Sequence, residues 1–115
     1  MQRYFFPATN RLKTASQFKQ VFSNSKKAPT KGCCVFYRAN NLNCARLGVI
    51  VQKKHIRKSC KRNWFKRQAR ESFRLAQHSF GGVDIIVLAF KEANTMTSND
   101  VRKNLEKQWQ KITCQ

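Results

Sequence analysis

The segment Lys53–Arg74 reads KKHIRKSCKRNWFKRQARESFR, and it is the most informative part of the chain. It contains ten of the 24 lysines and arginines of the chain but only one acid, Glu71. At about 100° per residue, its mostly apolar positions form one stripe of a helix: Phe65, Ala69, Ser72, Phe73 and Ala76. The adjoining arc is polar and mainly cationic, with Arg62 at its border: Asn63, Lys66, Arg67, Arg70 and Arg74. This pattern predicts an amphipathic helix from about residue 59 to 78.

The cationic arc of this predicted helix lacks the acids that would form i, i+4 pairs with it. A lysine-rich helix face is often simply solvated, and this alternative stays open. Arginine outnumbers lysine on the helix, however, and an arginine fork can bind a phosphate through two hydrogen bonds. The whole chain has a net charge of +19 and only 5 acids. We therefore expect a nucleic acid as the partner, bound with strong salt dependence through counterion release.

Length predicts a single domain spanning residues 1–115, and the charge predicts that this domain binds a nucleic acid. A hydrophobic content of 41% is too high for a disordered polybasic tail. No apolar run approaches the roughly 18–20 residues of a membrane span, and the stretch before Pro7 is too short for a signal peptide. The 5 cysteines include no CxxC pair, which argues against a disulfide framework or a zinc site. Reduced thiols and a cytoplasmic location are the expectation.

The N-terminal half is expected to hold one short helix and two strands. A capping box over residues 14–17 predicts a helix that ends near residue 24. Serine, proline and glycine make residues 25–32 resemble a loop. Strand composition returns at 33–38 and again at 46–51, and these two strands are predicted to form a hairpin.

The C-terminal part is expected to supply a central strand and a last helix. Residues 84–90 are nearly continuously apolar, which is typical of a strand buried on both faces. A second capping box, at Thr97 and Asp100, begins a helix with one apolar stripe: Val101, Leu105, Trp109 and Ile112. The resulting order of α, β, β, α, β, α predicts an α+β fold, a two-layer α/β sandwich with helices on a sheet.

Side chains that could catalyse a reaction by themselves are sparse. The 5 acids are scattered, and no pair has a spacing typical of metal-dependent nucleases. His55 and His78 could in principle form an acid/base ribonuclease, although surface histidines near phosphates are the simpler interpretation. Cys60 has cationic neighbours but no indicated partner base. The sequence therefore favours binding over catalysis.

Three phenylalanines could provide rings for stacking on nucleic-acid bases. Phe18 and Phe22 are spaced i, i+4 on the first predicted helix, and Phe36 lies on a predicted strand. If that face of the strand looks toward the helix, the rings line a cleft suited to stacked bases, at about 1–3 kcal/mol per base. Periodicity alone favours core positions for Phe18 and Phe22, and each could also be half-buried and serve both roles.

These motifs, taken in order, resemble the protein subunit of bacterial ribonuclease P. The signature of that family is an Arg-Asn-Arg-x-Lys-Arg-x-x-Arg run that opens a helix after a Lys-Lys strand end. Here Lys53-Lys54 precede the run RNWFKRQAR at residues 62–70. The resemblance continues through several further segments: Arg11-Leu12, Phe18, Val21-Phe22, Arg46–Val49, Ser72–Leu75 and Asp84–Val87.

The chain departs from this family pattern at two positions. Trp64 stands where the family has an arginine, so one phosphate contact is expected to be missing. Its ring could instead stack on an RNA base or cover a sheet edge. Gln52 stands where a small residue is usual.

The resemblance implies a ribonucleoprotein that removes the 5′ leader from precursor tRNA. In that family the catalytic RNA subunit hydrolyses the phosphodiester bond with bound Mg²⁺, and the protein binds that RNA and the leader. One protein per RNA and no membrane partner are expected. The implied fold has a mixed sheet of about four strands, three helices and a left-handed βαβ crossover, an exception to the right-handed rule. The fourth strand would then lie near residues 25–32 or in the hairpin.

Residue roles also follow from the resemblance. The implied contacts to the RNA subunit are Arg62, Asn63, Lys66, Arg67 and Arg70, supported by Lys53 and Lys54. The implied leader cleft is lined by Phe18, Phe22 and Phe36, and a one-residue slip in the match would exchange Phe36 and Tyr37. A general RNA-binding or ribosomal-type protein without a role in cleavage remains the alternative.

Overall fold

The computed structural model of the chain describes residues 25–40, 45–76, 80 and 82–113. In chain order, its elements are β1 (Lys26–Thr30), β2 (Cys33–Ala39), β3 (Arg46–Ile50), α1 (Ser59–Ala76), β4 (Val83–Ala89), a 3-10 helix (Lys91–Thr95) and α2 (Ser98–Thr113). The helix predicted to end near residue 24 lies outside the described residues. Among the residues described, no helix has the length and apolar character that crossing a membrane requires.

The four strands form one mixed sheet in the order β1-β2-β4-β3. Strand β2 pairs antiparallel with both β1 and β4, whereas β3 pairs parallel with β4. The prediction of a central strand is confirmed, because β4 has a neighbour on each side and nearly all of its residues are buried. The predicted hairpin between the strands at 33–38 and 46–51 is wrong, because β4 lies between them. A strand that is apolar on both faces is most stable in the interior of the sheet. Here that strand is β4, and it separates β2 from β3.

Strand β1 occupies a segment whose composition predicts a loop, so that prediction is wrong, whereas the fourth strand that the family resemblance implies near residues 25–32 is confirmed. Pro29 suggests a loop because it has no N–H to donate to a neighbouring strand. Since β1 is paired only with β2 within the described sheet, it can accommodate a proline as an edge strand does. Gly32 turns the chain from β1 into β2 with a φ of 86°. A side chain at Gly32 would also collide with the Met96 side chain, so both the backbone angle and the available space favour glycine there.

Helix α1 connects the parallel neighbours β3 and β4, which makes β3–α1–β4 a βαβ unit. The hand of this crossover stays a prediction. The predicted α1 stripe is confirmed: Phe65, Ala69, Ser72 and Phe73 are buried, and Ala76 is partly buried. The α2 stripe is also confirmed, with all four of its residues buried. The second capping box forms as predicted, with Thr97 N donating to Asp100 Oδ2 and Asp100 N to Thr97 Oγ1, each at 3.2 Å.

The two faces of the sheet carry separate apolar clusters. Alternate residues of β2 and β4, among them Val35, Tyr37 and Ile85, pack with α1 and α2 in the main core. The residues between them point the other way, as strand geometry requires. This "second sheet face" comprises Cys34, Phe36, Ile86, Ile50, Leu88 and Phe90. The sheet therefore has one face covered by α1 and α2 and a distinct, largely buried apolar cluster on the other.

Candidate nucleic-acid interface

The polar side of α1 presents the predicted cationic residues outward. We define the "α1 cationic face" as Asn63, Lys66, Arg67 and Arg70. Lys66 is half-buried and the other three side chains are exposed. They share this side because α1 buries its opposite stripe on the sheet and α2, which is the arrangement that the helical periodicity predicts.

The one acid of α1 does not neutralise this face. Glu71 is hydrogen-bonded and ion-paired to Arg74, and this bond lowers the pKa of the Glu71 carboxyl. The first turn of α1 contains no acid. Within the described ranges, no ion pair joins Lys66 or Arg67 to a carboxylate. These two charges are therefore available to an anionic partner.

Arg62, at the border of this face, has a structural role that the sequence pattern did not reveal. Its Nη1 donates to the carbonyl oxygens of Ile56 at 3.0 Å and Arg57 at 2.7 Å. Arg62 thereby fastens the loop that leads from β3 into α1. A helical wheel could not identify this role, because the acceptors are backbone atoms of an irregular segment before the helix.

We expect Arg62→Ala to lower the free energy of unfolding by about 1–2 kcal/mol, because two carbonyl groups lose a charged donor. Arg67→Ala should leave it almost unchanged, since the Arg67 side chain is exposed. Urea-induced unfolding followed by circular dichroism would measure both variants. Equal midpoints for the two variants would show that Arg62 does not hold the loop.

Lys53 and Lys54 lie exposed in the turn that follows β3. His55 N and Ile56 N close this turn by donating to the carbonyl oxygen of Gln52 at 3.1 Å and 3.0 Å. The backbone of Gln52 makes these bonds, so the turn closes with glutamine at this position. The two lysines are thus displayed on the same loop that Arg62 fastens.

Trp64 joins α1 to α2. Its half-buried ring packs against the main core, and Nε1 donates to Ser98 Oγ at 3.2 Å, at the start of α2. The Lys61 Nζ lies 3.7 Å from the centroid of the Trp64 ring. The sequence could not predict this arrangement, because Ser98 is 34 residues away in the chain.

The second sheet face holds Phe36, whereas Tyr37 points into the main core between the sheet and the helices. Phe36 is 9% exposed, and Lys27 Nζ lies 5.6 Å from the centroid of its ring. The structure therefore separates the two candidates and assigns only Phe36 to the second sheet face. Phe18 and Phe22 lie outside the described residues.

A charged network borders the second sheet face. Arg46 donates from Nε and Nη2 to the two oxygens of Asp84, at 2.7 Å each, and Asn40 Nδ2 donates to Asp84 Oδ1 at 2.8 Å. Asp84 and Arg46 are directly paired across β4 and β3. Asp84 thus stabilises the parallel strand pair, consistent with a structural role.

Of the side chains considered for catalysis, Cys60 is exposed in the first turn of α1. The His55 ring packs edge-on against Phe90 at 5.8 Å between centroids, and His78 lies outside the described residues. Burial raises the pKa of the Cys33 thiol to about 12 and also raises that of Cys34, so neither forms a thiolate readily. In the part of the chain that the structure covers, no three His, Cys, Asp or Glu side chains come together as a metal site would require.

A cationic pocket at the beginning of α1 was not predicted. It is an open surface pocket of about 600 Å³, lined by His55, Arg57, Lys58, Cys60, Lys61 and Asn94. The sequence signal for it was the dense charge before residue 62, which periodicity assigned to no helix face. The pocket exists because the β3–α1 loop folds against the 3-10 helix, where Asn94 Nδ2 donates to the His55 carbonyl at 2.9 Å.

Comparisons with known proteins show the family to which the sequence is similar. A family model described as Ribonuclease P matches residues 6–113. The ribonuclease P protein component of Photobacterium profundum is 37% identical over 113 residues, covering 98% of this chain and 96% of the relative. That of Pectobacterium atrosepticum is 38% identical over 111 residues, covering 96% and 93%.

Solved structures match the fold as well. The ribonuclease P protein of Staphylococcus aureus superposes with a TM-score of 0.83 at 27% identity, over 90% of this chain and 97% of that one. The protein of Thermotoga maritima, in complex with 1-(4-fluorophenyl)-2-thiourea, gives 0.80 at 31% identity, over 89% and 99%. The mixed α+β fold expected from the sequence is therefore confirmed.

Proposed function

The chain belongs to the ribonuclease P protein family, and we propose that it binds the catalytic RNA subunit through the α1 cationic face. We also propose that it binds the 5′ leader of precursor tRNA through the second sheet face. Its role in the ribonuclease P holoenzyme, which matures the 5′ ends of tRNA, follows from the family. In this proposal one chain binds one RNA, in the cytoplasm.

The main observation behind the proposal is that cationic side chains of α1 are not neutralised by nearby carboxylates. Lys66 and Arg67 have no carboxylate partner within the described ranges, and Glu71 is occupied by Arg74. A folded protein that holds such charges toward solvent is stabilised by a polyanion, because the partner screens their mutual repulsion. Arginine also provides the planar fork that fits a phosphate.

The second sheet face supports the leader part of the proposal. It holds the Phe36 ring, 9% exposed, with the Lys27 ammonium 5.6 Å from the ring centroid. Single-stranded RNA binds such combinations of aromatic and cationic groups without sequence preference. Lys53 and Lys54 lie on the loop before α1 and would support the contacts to the RNA subunit. In this scheme the chain positions two RNAs and lowers the repulsion between them.

We assign the hydrolysis to the RNA subunit. The acids Asp84 and Asp100 serve in a strand pair and a helix cap, and the described residues do not assemble a resident metal site. Magnesium bound to the RNA would supply the activated water and the charge stabilisation that hydrolysis needs. The residues of this chain would bind and orient the RNAs.

The purified chain alone is expected to leave precursor tRNA uncleaved, and to accelerate cleavage by its cognate RNA at low magnesium. An acceleration on the order of tenfold requires only about 1.4 kcal/mol of added stabilisation. The gain should shrink as magnesium rises, because the added cations then screen the RNAs themselves. A magnesium titration of single-turnover cleavage measures this, and an absence of acceleration at every concentration would contradict the proposal.

A general RNA-binding protein without a role in cleavage is the competing function. The two are separated by the affinity of the assembled ribonucleoprotein for precursor and for mature tRNA. A chain that binds the leader should give tighter binding of the precursor, whereas equal affinities for the two tRNAs would favour the general RNA binder.

A further inference from the structure

The pocket at the beginning of α1 has the chemistry of an anion site. Three of its lining residues, Arg57, Lys58 and Lys61, are cationic, and none is an acid. The pocket lies at the N-terminal end of α1, whereas the α1 cationic face runs along the side of that helix. The two surfaces share no residue, so each can be tested separately.

The walls of the pocket are held in place before any ligand binds. Arg62 bonds the carbonyl oxygens of Ile56 and Arg57 from the side of α1. From the other side, Asn94 Nδ2 donates to the carbonyl oxygens of His55 and Lys91, each at 2.9 Å. A pocket fixed in this way loses little conformational freedom when a ligand enters.

Lys61 is also restrained, which is unusual for a lysine at the surface. Its ammonium lies 3.7 Å from the centroid of the Trp64 ring, a cation–π contact. Trp64 is itself held by the bond from Nε1 to Ser98 and by packing against the main core. An ammonium has three N–H donors, so this contact leaves Lys61 able to donate to an anion as well.

We propose that this pocket binds a backbone phosphate of the RNA subunit, that Lys61 contacts this phosphate directly, and that Trp64 is the residue that positions Lys61. This inference rests on the proposed function. The RNA subunit is the occupant because the loop that forms the pocket also displays Lys53 and Lys54, the expected supporting contacts to that RNA. The pocket extends this surface around the beginning of α1.

The test measures affinity for the cognate RNA subunit as a function of salt. Lys61→Ala should weaken binding on the order of tenfold, the effect of one charge-assisted contact, and reduce the salt slope by about one. Lys103→Ala removes the same charge from an exposed position on α2 and should change neither quantity. A slope that Lys61→Ala leaves unchanged would overturn the proposal.

The positioning role of Trp64 is tested by a double-mutant cycle. Trp64→Leu removes the ring and should weaken RNA binding in the wild-type background, whereas Trp64→Phe, which keeps an aromatic ring, should retain most of the affinity. In the Lys61→Ala background, Trp64→Leu should cause no further loss of affinity. Additive losses would show that Trp64 acts independently of Lys61 and would overturn its positioning role. Thermal unfolding of each variant identifies any that is not folded.

Two further arms of the test separate the alternatives. If Lys61→Ala has no effect but Arg67→Ala lowers the salt slope, the pocket assignment fails and the proposed function stands. If neither variant changes the slope, the proposed RNA interface on α1 fails as well. Saturable binding of inorganic phosphate to the chain that Lys61→Ala abolishes, without a change in RNA affinity, would identify a site for free phosphate and overturn the RNA assignment.

Discussion

Replacing Lys66, Arg67 and Arg70 together by glutamine should weaken binding of the cognate ribonuclease P RNA by about a thousandfold at physiological ionic strength. Each position is expected to lose one charge-assisted phosphate contact, worth about 1.4 kcal/mol or a factor of ten. The slope of log affinity against log salt should fall by about three, since each lost cation no longer releases a counterion. Filter binding across a salt series measures both quantities.

The matched control replaces Lys103, Lys107 and Lys111 by glutamine. These lysines are exposed on α2, and their loss reduces the net charge of +19 by the same three units. If binding depends on the geometry of the α1 cationic face, this control should retain most of the affinity. If both triple variants weaken binding equally, the RNA responds to total charge and not to α1.

Asp84→Ala should destabilise the fold by about 3 kcal/mol, the second large effect that we expect. Asp84 is only 4% exposed and accepts two hydrogen bonds from Arg46 and one from Asn40. Removing the carboxylate leaves the largely buried Arg46 guanidinium without its counterion, which costs far more than a surface ion pair contributes. Denaturant unfolding monitored by tryptophan fluorescence provides the measurement.

A double variant tests the reason for this loss. Arg46→Met combined with Asp84→Leu removes both charges and leaves no ion unpaired, so it should be more stable than Asp84→Ala alone. Asp84→Asn keeps the size of the side chain and one acceptor, and should fall between Asp84→Ala and the unmodified chain. A double variant less stable than Asp84→Ala would mean that packing, not the unpaired charge, explains the cost.

The two helices could be predicted closely because their signals are local. The stripe with Phe65 and Phe73 and the stripe with Val101 and Leu105 repeat at helical spacing, so each identifies its own buried side. The capping box at Thr97 likewise involves residues only three positions apart. The buried nature of β4 was also evident, because its apolar run is continuous.

Strand pairing could not be predicted in the same way. The hairpin prediction joined strands that are close in sequence, but β4, which comes after α1, pairs with both of them. The composition around Pro29 did not indicate β1, because a proline fits a strand only where that strand has an unpaired edge. Only the family resemblance implied a strand near residues 25–32. Both errors have one cause: which strand lies next to which depends on contacts between distant residues.

By itself the sequence determined that α1 has a buried side and a cationic side, that β4 is central, and that the partner is a polyanion. These properties follow from residue spacing and charge within single elements. Only the tertiary structure decided that Trp64 holds Lys61 and bonds to Ser98, that Arg62 fastens the loop before α1, and that Phe36 rather than Tyr37 belongs to the second sheet face. Each depends on how separate segments pack or on the pleat direction of a strand within the sheet, which no local pattern specifies.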